Sequence, residues 1–475
     1  MLFNSYVFIF LIFGTFVIYY QRCFAKYQIL ILIISSQIFY GYSQPYLLLL
    51  LFASATINAI TSYNVHYEVN DKKRKFFAII GVVSNLVILS FFKYNRLLDG
   101  FFPELQSQSD AFFNFLIAIP LPIGISFYTF QGISLIMDVY KPLKSKDFNI
   151  ESNFFKHYRN TFFFITFFPQ LVAGPIVKAR DFFPQISKKS LKNIDVSLVF
   201  KSLVTGYFLK SVIADNLKDQ TFWIAFPYFE FKSSLTLIVM LFGYSIQIFA
   251  DFAGYSLIAI GVAAIFGYKL PTNFNFPYIS SSIAEFWQRW HISLSSWLKE
   301  YLYFSLGGNR KGNVRTYINL IIVMFLGGLW HGAALSYGVW GLWHGIGLAI
   351  ERLLKRSRES IHHRSIAVKA VQTIFVFVFV TFGWLLFKLS NFAEALQYLV
   401  AIKENLSLKS NLLIEMNILI YSFPIIIYHF IYVAKQNSQH FSNLMKKYDY
   451  VFYAAMMFLL IFNKGIPGDF VYFQF

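Results

Sequence analysis

The sequence contains a single cysteine, Cys23, among 475 residues. One thiol cannot close an internal disulfide or supply the ligands of a cysteine-based metal site. Charge is also scarce, because 13% of the residues are charged, whereas soluble domains carry about 25%. Among the charged residues the acidic ones are fewer, with 23 Asp and Glu against 41 Lys and Arg. The composition therefore excludes a chain of two or three soluble globular units.

Apolar residues are abundant instead: 57% of the chain is hydrophobic and the mean hydropathy is +0.54. We predict an all-α polytopic membrane protein with about 11–12 transmembrane helices, some of them tilted because their runs are short. The first run has no small-residue cleavage site and is expected to be a retained helix. The apolar runs lie at residues 4–20, 28–40, 46–62, 76–93, 111–137, 196–214, 234–266, 316–330, 334–350, 366–387, 413–433 and 450–463.

The loops between these runs alternate in charge, and the formal net charge of +18 is concentrated in some of them. Residues 21–26 have two bases and no acid, and residues 68–75 have four bases against two acids. Residues 41–45 are neutral, and residues 94–110 have one base against three acids. Cytoplasmic loops are enriched in Lys and Arg. The pattern predicts an extracytoplasmic N-terminus and a membrane surface, not nucleic acid, as the partner of the positive charge.

One apolar segment, residues 161–177, lies between two basic loops, 141–159 and 178–201. It is short, and it is interrupted by two prolines and a glycine. Irregular backbone is tolerated at membrane depth only inside protein or beside a wet cavity. A re-entrant hairpin fits both observations; an ordinary span beside a misassigned loop is the alternative.

Residues 283–301 repeat apolar side chains at helical spacing, which predicts one amphipathic helix at the cytoplasmic interface. The opposite side would carry Glu285, Gln288, His291, Ser295 and Lys299. The bases Arg289, Lys299, Arg310 and Lys311 in and after this helix could meet an anionic donor, or they could face lipid headgroups.

Three histidines are candidates for chemistry. Residues 328–332 and 341–345 both read Gly-Leu-Trp-His-Gly, so spacing alone does not choose between His331 and His344. An ionisable group in an apolar segment is costly and is a functional hypothesis by default, and an imidazole can serve as a general base. Alternatively, the glycines pack helices and each histidine bonds a carbonyl. His331 is favoured because small residues on both sides would leave room for a substrate, while His291 could be merely solvated.

Asp251 lies in the middle of an apolar run and needs a partner or a pocket. It could orient a histidine or hold two helices together. Nucleotide-binding glycine loops, zinc-binding His-Glu-x-x-His and Gly-x-Ser-x-Gly elbows do not occur in the sequence.

At these residues the chain resembles the membrane-bound O-acyltransferase superfamily, in particular its bacterial alginate O-acetyltransferase branch. The resemblance covers most of the chain in order and is densest at 286–312 and 329–332. It is carried by MLFNS (1–5), LPIGISFYTF (121–130), MDVY (137–140), FPQLVAGPI (168–176), DFAGY (251–255), NFNFP (273–277) and FVYFQF (470–475).

The resemblance implies one integral-membrane domain over residues 1–475, with a catalytic core at about 111–352 around a central tunnel. It implies His331 as the catalytic histidine, His291 as the second one and Tyr472 as a transient acyl acceptor for extracytoplasmic handover. Asn273 and Trp330 belong to the same motifs and are candidate supporting residues with Asp251. The donor would be a cytoplasmic thioester such as acetyl-CoA, and no bound cofactor or metal is expected.

The implied activity is transfer of an acyl group across the bacterial inner membrane toward hydroxyls of a cell-envelope polysaccharide. A separate extracytoplasmic acetyltransferase would complete delivery. The alternatives are a D-alanyl or longer-chain acyltransferase of the same superfamily, a transporter, and an inactive scaffold. A transporter would show matching broken helices in two related halves, and the sequence shows no such halves.

Overall fold

The computed structural model describes residues 1, 3–42, 44–101, 121–141, 148, 150–172, 174–356, 365–468 and 470–471, with the backbone only for 95–101, 355 and 356. Over these residues every regular element is a helix. The α-helices are α1 Tyr6–Tyr19, α2 Gln28–Gly41, α3 Leu47–Tyr67, α4 Asp71–Phe101, α5 Ile125–Tyr140, α6 Phe154–Thr166, α7 Phe168–Leu171, α8 Ala179–Phe182, α9 Val196–Tyr207, α10 Asp215–Thr221, α11 Ser234–Ile265, α12 Ile283–Arg289, α13 Ile292–Trp297, α14 Gly312–His331, α15 Leu335–Arg356, α16 Ile366–Lys388, α17 Phe392–Glu404, α18 Leu412–Asn437, α19 Gln439–Lys447 and α20 Asp449–Phe462. Two π-helices, Phe208–Ala214 and Leu298–Tyr303, and seven 3₁₀ segments, Arg22–Tyr27, Phe183–Gln185, Leu191–Asn193, Phe222–Ile224, Tyr228–Phe231, Pro277–Ile279 and Asn405–Ser407, complete the described elements.

Each apolar run predicted from the sequence coincides with a helix in the part that the structure describes. Of the run at 111–137, the structure describes residues 121–137, and the helix α5 begins there at Ile125. Eight described helices are long and apolar enough to cross a membrane, and α1 and α20 are shorter apolar helices. The prediction of an all-α, multi-pass membrane protein is confirmed.

By its contacts the chain divides into two units, Met1–Phe200 with Ile258–Pro271, and Lys201–Leu257 with Thr272–Phe475. In the first unit, buried polar side chains join helices α3, α4 and α6. The amides of Asn58 and Asn85 bond each other at 2.8 and 3.2 Å, and Ser62 Oγ lies 2.9 Å from His157 Nε2. Because lipid offers such groups no partner, they must be paired inside the protein.

The helix in the segment 161–177 is interrupted, as its prolines and glycine predict. α6 ends at Thr166, α7 has only four residues, and the backbone leaves the helical conformation after Val172. Phe163, Phe167 and Phe168 are fully buried here. Neither helix is long enough to cross a bilayer. The broken backbone is therefore enclosed in protein, and the re-entrant path stays a prediction.

In the second unit, α14 and α15 form a close helical pair through the two Gly-Leu-Trp-His-Gly repeats. A Cβ atom on Gly328 would lie 3.1 Å from Gly341 Cα, and one on Gly341 would lie 2.9 Å from Phe325 Cα. Small residues let helix backbones approach in this way. The packing role that the sequence allowed for these glycines is thus observed.

The prediction of one continuous amphipathic helix over 283–301 is wrong. α12 ends at Arg289, α13 begins at Ile292, and His291 between them has a φ of 43°, in the left-handed region. The ring of His291 is 0% exposed, so it does not lie on a solvated face. His291 therefore interrupts the helix and lies inside the protein.

Candidate active site

His291 is held at its left-handed position by Asn273. Its Nδ1 lies 3.0 Å from Asn273 Oδ1, which also accepts a hydrogen bond from Ser293 Oγ at 2.9 Å. Asn273 Nδ2 donates to Ser256 Oγ at 3.1 Å, and Ile292 N donates to the Asn273 carbonyl at 2.9 Å. The Asn273 side chain therefore uses both ends of its amide to join α11, α13 and His291.

This network also fixes the tautomer of His291. Asn273 Oδ1 also accepts from the backbone N of Ser293 at 3.3 Å, so the amide oxygen lies on the side of His291, and the Nδ1 that contacts it is assigned as the donor. In a neutral ring, Nε2 then carries the lone pair. His291 is thus presented with its basic nitrogen directed away from Asn273.

His331 ends α14, and its ring centroid lies 6.4 Å from that of His291. Aromatic side chains enclose it: the Trp330 ring is 5.0 Å away, Trp340 is 5.2 Å and Phe387 is 5.3 Å. Of the three candidate histidines His331 alone keeps an exposed fraction, 5%, whereas His291 and His344 have none. The structure therefore brings together His331, His291, Asn273 and Trp330.

The glycines near His331 do not provide the room for substrate that the sequence suggested. A Cβ atom on Gly332 would overlap the ring of Tyr337, and Gly328 faces the backbone of α15. These positions are small because helices and an aromatic ring occupy the space.

His344 lies beyond Trp340, away from the histidine pair. Its ring is 4.9 Å from Trp340 and 5.2 Å from Trp287, and neither of its nitrogens has a hydrogen-bond partner among the described residues. The pairing of His331 with His291 distinguishes two histidines that the sequence left equivalent. It favours His331 as the base on geometric grounds.

Asp251 has the partner that its apolar surroundings require. Its Oδ1 lies 2.8 Å from Lys210 Nζ, and Lys210 also contacts Asp215 Oδ1 at 2.8 Å. Asp251 Oδ2 also accepts a hydrogen bond from the backbone N of Val471 at 2.7 Å. It thus holds two parts of the chain together and does not bond a histidine through these contacts. Sequence reasoning missed Lys210 and Asp215, although Lys210 stands in the apolar run 196–214 and carries the same signal as Asp251.

The basic residues predicted to bind the donor do not take part in the contacts of Lys210, Asp215 and Asp251 described above. Arg289 pairs with Glu285 at 3.0 Å and donates to the carbonyl of Asn275 at 3.0 Å. Lys299, Arg310 and Lys311 are exposed. Tyr472, the predicted acyl acceptor, lies outside the described residues.

Two of the cavities are lined by described residues of the second unit. One, of about 450 Å³, lies among α18, α20 and the π-helix Phe208–Ala214; the other, of about 480 Å³, lies between α15 and α16. Neither is lined by His331 or His291. Aromatic rings surround both histidines instead.

Comparison of the sequence with known proteins identifies the family of the chain. The model of the MBOAT, membrane-bound O-acyltransferase family matches residues 112–393. The chain is 36% identical to the probable alginate O-acetylase AlgI of Pseudomonas aeruginosa over 83% of its own length and 73% of that protein. It is 34% identical to a peptidoglycan O-acetyltransferase of Helicobacter pylori over 84% and 79%, and 30% identical to a teichoic acid D-alanyltransferase of Bacillus subtilis over 56% and 68%. With helices that suit a membrane, a buried pair of histidines and a family match over more than half its length, the chain belongs to the membrane-bound O-acyltransferase family and is an acyltransferase of the alginate O-acetylase-like branch.

Proposed function

We propose that this enzyme moves an acetyl group from a cytoplasmic thioester, such as acetyl-CoA, toward hydroxyls of an extracytoplasmic polysaccharide. The bacterial inner membrane would be its location. The names of the similar alginate and peptidoglycan O-acetyltransferases support an acetyl group and a glycan acceptor. The observation that carries the mechanism is the buried pair of His331 and His291, with ring centroids 6.4 Å apart.

In the proposed reaction, His331 acts as the general base. As a hydroxyl oxygen attacks the thioester carbonyl carbon, His331 accepts the hydroxyl proton. The carbon–sulfur bond then breaks, and the thiolate leaves and takes that proton from His331. A positioned base contributes roughly 10²–10⁴-fold to such a step. Activity should fall at low pH, because a protonated imidazole cannot accept a proton.

The tautomer of His291 favours an orienting role over stabilisation of an oxyanion. With Nδ1 donating to Asn273, the neutral ring can only accept at Nε2. It can therefore bind an N–H or O–H group of a substrate and hold it beside His331, which aligns the reacting atoms. It could donate to an oxyanion only as an imidazolium.

Tyr472 is proposed to take the acyl group as an ester and to pass it on outside the membrane. A separate extracytoplasmic acetyltransferase would be the receiving partner, and a tunnel would connect the two membrane faces. Lys299, Arg310 and Lys311 are proposed to meet the phosphates of the donor, since they are exposed cations.

Transfer of D-alanine is the second candidate function. The teichoic acid D-alanyltransferase of Bacillus subtilis is 30% identical to this chain over 279 residues. The longer coverage of the O-acetyltransferases, 398 and 428 residues, favours acetyl transfer.

The test is acyl transfer by purified protein in liposomes, with acetyl and D-alanyl thioesters supplied in turn. We expect acetyl transfer by the native chain and a loss of roughly 10²–10⁴-fold in His331→Ala. His344→Ala is the matched control, since it removes the histidine of the twin repeat and should keep most of the activity. Full transfer by a folded His331→Ala protein would refute the proposed base, and preferred use of the D-alanyl donor would establish the second candidate.

A further inference from the structure

A buried lysine lies between two buried carboxylates in the second unit. Lys210 Nζ is 2.8 Å from Asp215 Oδ1 and 2.8 Å from Asp251 Oδ1, and each of the three side chains is 2% exposed. Lys210 belongs to the π-helix Phe208–Ala214, a distortion that is frequent at functional sites. Buried charges are costly and need partners in good geometry. Such a cluster calls for an explanation beyond helix packing.

The cluster binds the backbone of the C-terminal segment. Lys210 Nζ donates to Gly468 O at 3.0 Å, and Gly468 N donates to Asp215 Oδ1 at 3.3 Å. Val471 N donates to Asp251 Oδ2 at 2.7 Å. The three charged side chains that pair with one another therefore also bond the N–H and the carbonyl of Gly468 and the N–H of Val471.

Neighbouring residues extend this attachment toward the end of α20. Gly465 N donates to Ser211 O at 2.8 Å, Asn216 Nδ2 donates to Asn463 O at 3.1 Å, and Lys218 Nζ donates to Ile466 O at 3.2 Å. A Cβ atom on Gly465 would lie 2.7 Å from Asn216 N, so the segment lies directly against α10. A chain without regular secondary structure is thus fixed by hydrogen bonds at nearly every second residue.

The attachment reaches the histidine site through α11. Asp251 precedes Phe252, whose ring lies 4.6 Å from His291 and 5.6 Å from Phe470. Phe470 is fully buried and also packs on Tyr255 at 4.3 Å. One turn of α11 therefore holds the C-terminal segment through Asp251 and contacts His291 through Phe252.

We propose that Lys210, Asp215 and Asp251 are positioning residues that fix residues 463–468, 470 and 471 next to Phe252, the α11 residue that contacts His291. The anchor sets the point from which residues 472–475 start, and so determines whether Tyr472 is delivered to the donor. This inference rests on the proposed role of Tyr472 in acyl handover. It assigns to a structural ion cluster a task in the transfer step.

The first arm of the test measures the anchor without using activity. Val471 is 5% exposed, so a thiol in its place should be protected. In a Cys23→Ser background, Val471→Cys is labelled with a maleimide in the native membrane. We expect labelling to be about tenfold faster or more when Lys210→Met is added, because the segment is released locally.

Lys201→Met is the matched control for that arm. Lys201 forms an ion pair of the same length, 2.8 Å to Asp449, but it is 46% exposed and does not bind the C-terminal segment in the contacts described. Labelling should not change in this variant. If Lys210→Met does not fold, Lys210→Met with Asp251→Asn removes a cation and a carboxylate together and keeps the net charge of the cluster.

The second arm measures two acceptors with each variant. Transfer from acetyl-CoA to the extracytoplasmic acceptor should fall about 100-fold in Lys210→Met, as expected for a misplaced reacting group. His331-dependent acetylation of glycerol, which does not need Tyr472, should be largely retained. Three results in the Lys210→Met variant would each overturn the proposal. The thiol at position 471 could stay protected from the maleimide, it could be labelled faster while transfer to the extracytoplasmic acceptor is unchanged, or both acetylation reactions could fall equally. Glycerol acetylation that survives His331→Ala would instead refute the proposed base, and the labelling result would stand.

Discussion

The orientation of His291 depends on one amide side chain, that of Asn273. Histidine can act at either nitrogen, and the partner of one nitrogen decides the chemistry of the other. Here Asn273 Oδ1 contacts Nδ1 of His291, while Asn273 Nδ2 donates a hydrogen bond to Ser256 Oγ. If the amide rotated by half a turn, its NH₂ group would face the backbone N–H of Ser293, which donates to Oδ1 at 3.3 Å. Asn273 is therefore more than a neighbour of the site, because it selects the tautomer.

Asn273→Ala should lower acyl transfer by about 10- to 100-fold, because His291 loses its fixed tautomer and orientation. It should also lower the free energy of unfolding by about 1–3 kcal/mol, since buried groups lose their partner. Turnover and thermal unfolding in detergent measure the two effects. Asn275→Ala in the same motif is exposed and should change neither. Normal turnover in a folded Asn273→Ala protein would show that the tautomer does not matter.

Single functional candidates could be predicted where an ionisable side chain in an apolar segment costs free energy. His331, His291 and Asp251 were identified because polar groups in apolar sequence need a reason, and the structure pairs two of them and gives the third an ionic partner. The partners themselves were not predictable. Lys210 and Gly468 are 258 residues apart, and no local pattern connects them.

The positions of the helices could be predicted from the sequence, but not every break within them. The periodicity of residues 283–301 predicts a helix, and the segments on both sides of the break, Ile283–Arg289 and Ile292–Trp297, are helical. The break at His291 occurs without Gly or Pro, the usual signals of interruption. It is stabilised by distant contacts to Asn273, which override local preference. The interruption after Thr166 was predictable, because Pro169, Gly174 and Pro175 mark it.

The contact between α14 and α15 gives a test of helix packing. A Cβ atom on Gly341 would lie 2.9 Å from Phe325 Cα, and backbone cannot move aside cheaply. Gly341→Ala should therefore destabilise the protein by about 1–3 kcal/mol, as other overpacked sites do. Gly14→Ala in α1 is the control, because nothing lies within 4 Å of the added atom and alanine favours helix by about 0.5–1 kcal/mol. Equal thermal unfolding midpoints for the two variants would contradict this packing.

For the molecule as a whole, hydropathy predicted the class of fold because a lipid-embedded chain must satisfy its backbone within helices. Each predicted run contains a helix in the part that the structure describes. The run order does not determine which helices pack together, and it gave no indication that the C-terminal segment returns to residues 210–218. That contact depends on tertiary structure and on three charges dispersed in the sequence.

The orientation of the molecule can be tested with its one native thiol. Cys23 is exposed in the 3₁₀ segment Arg22–Tyr27 before α2, in the first basic loop. Because basic loops are retained in the cytoplasm, a membrane-impermeant maleimide should label Cys23 in inverted vesicles and not in spheroplasts. Tyr42→Cys in a Cys23→Ser background places an exposed thiol after α2 and should give the opposite pattern. Labelling of Cys23 from outside would reverse the predicted topology, and the basic loops at 178–201 would then face away from a cytoplasmic donor.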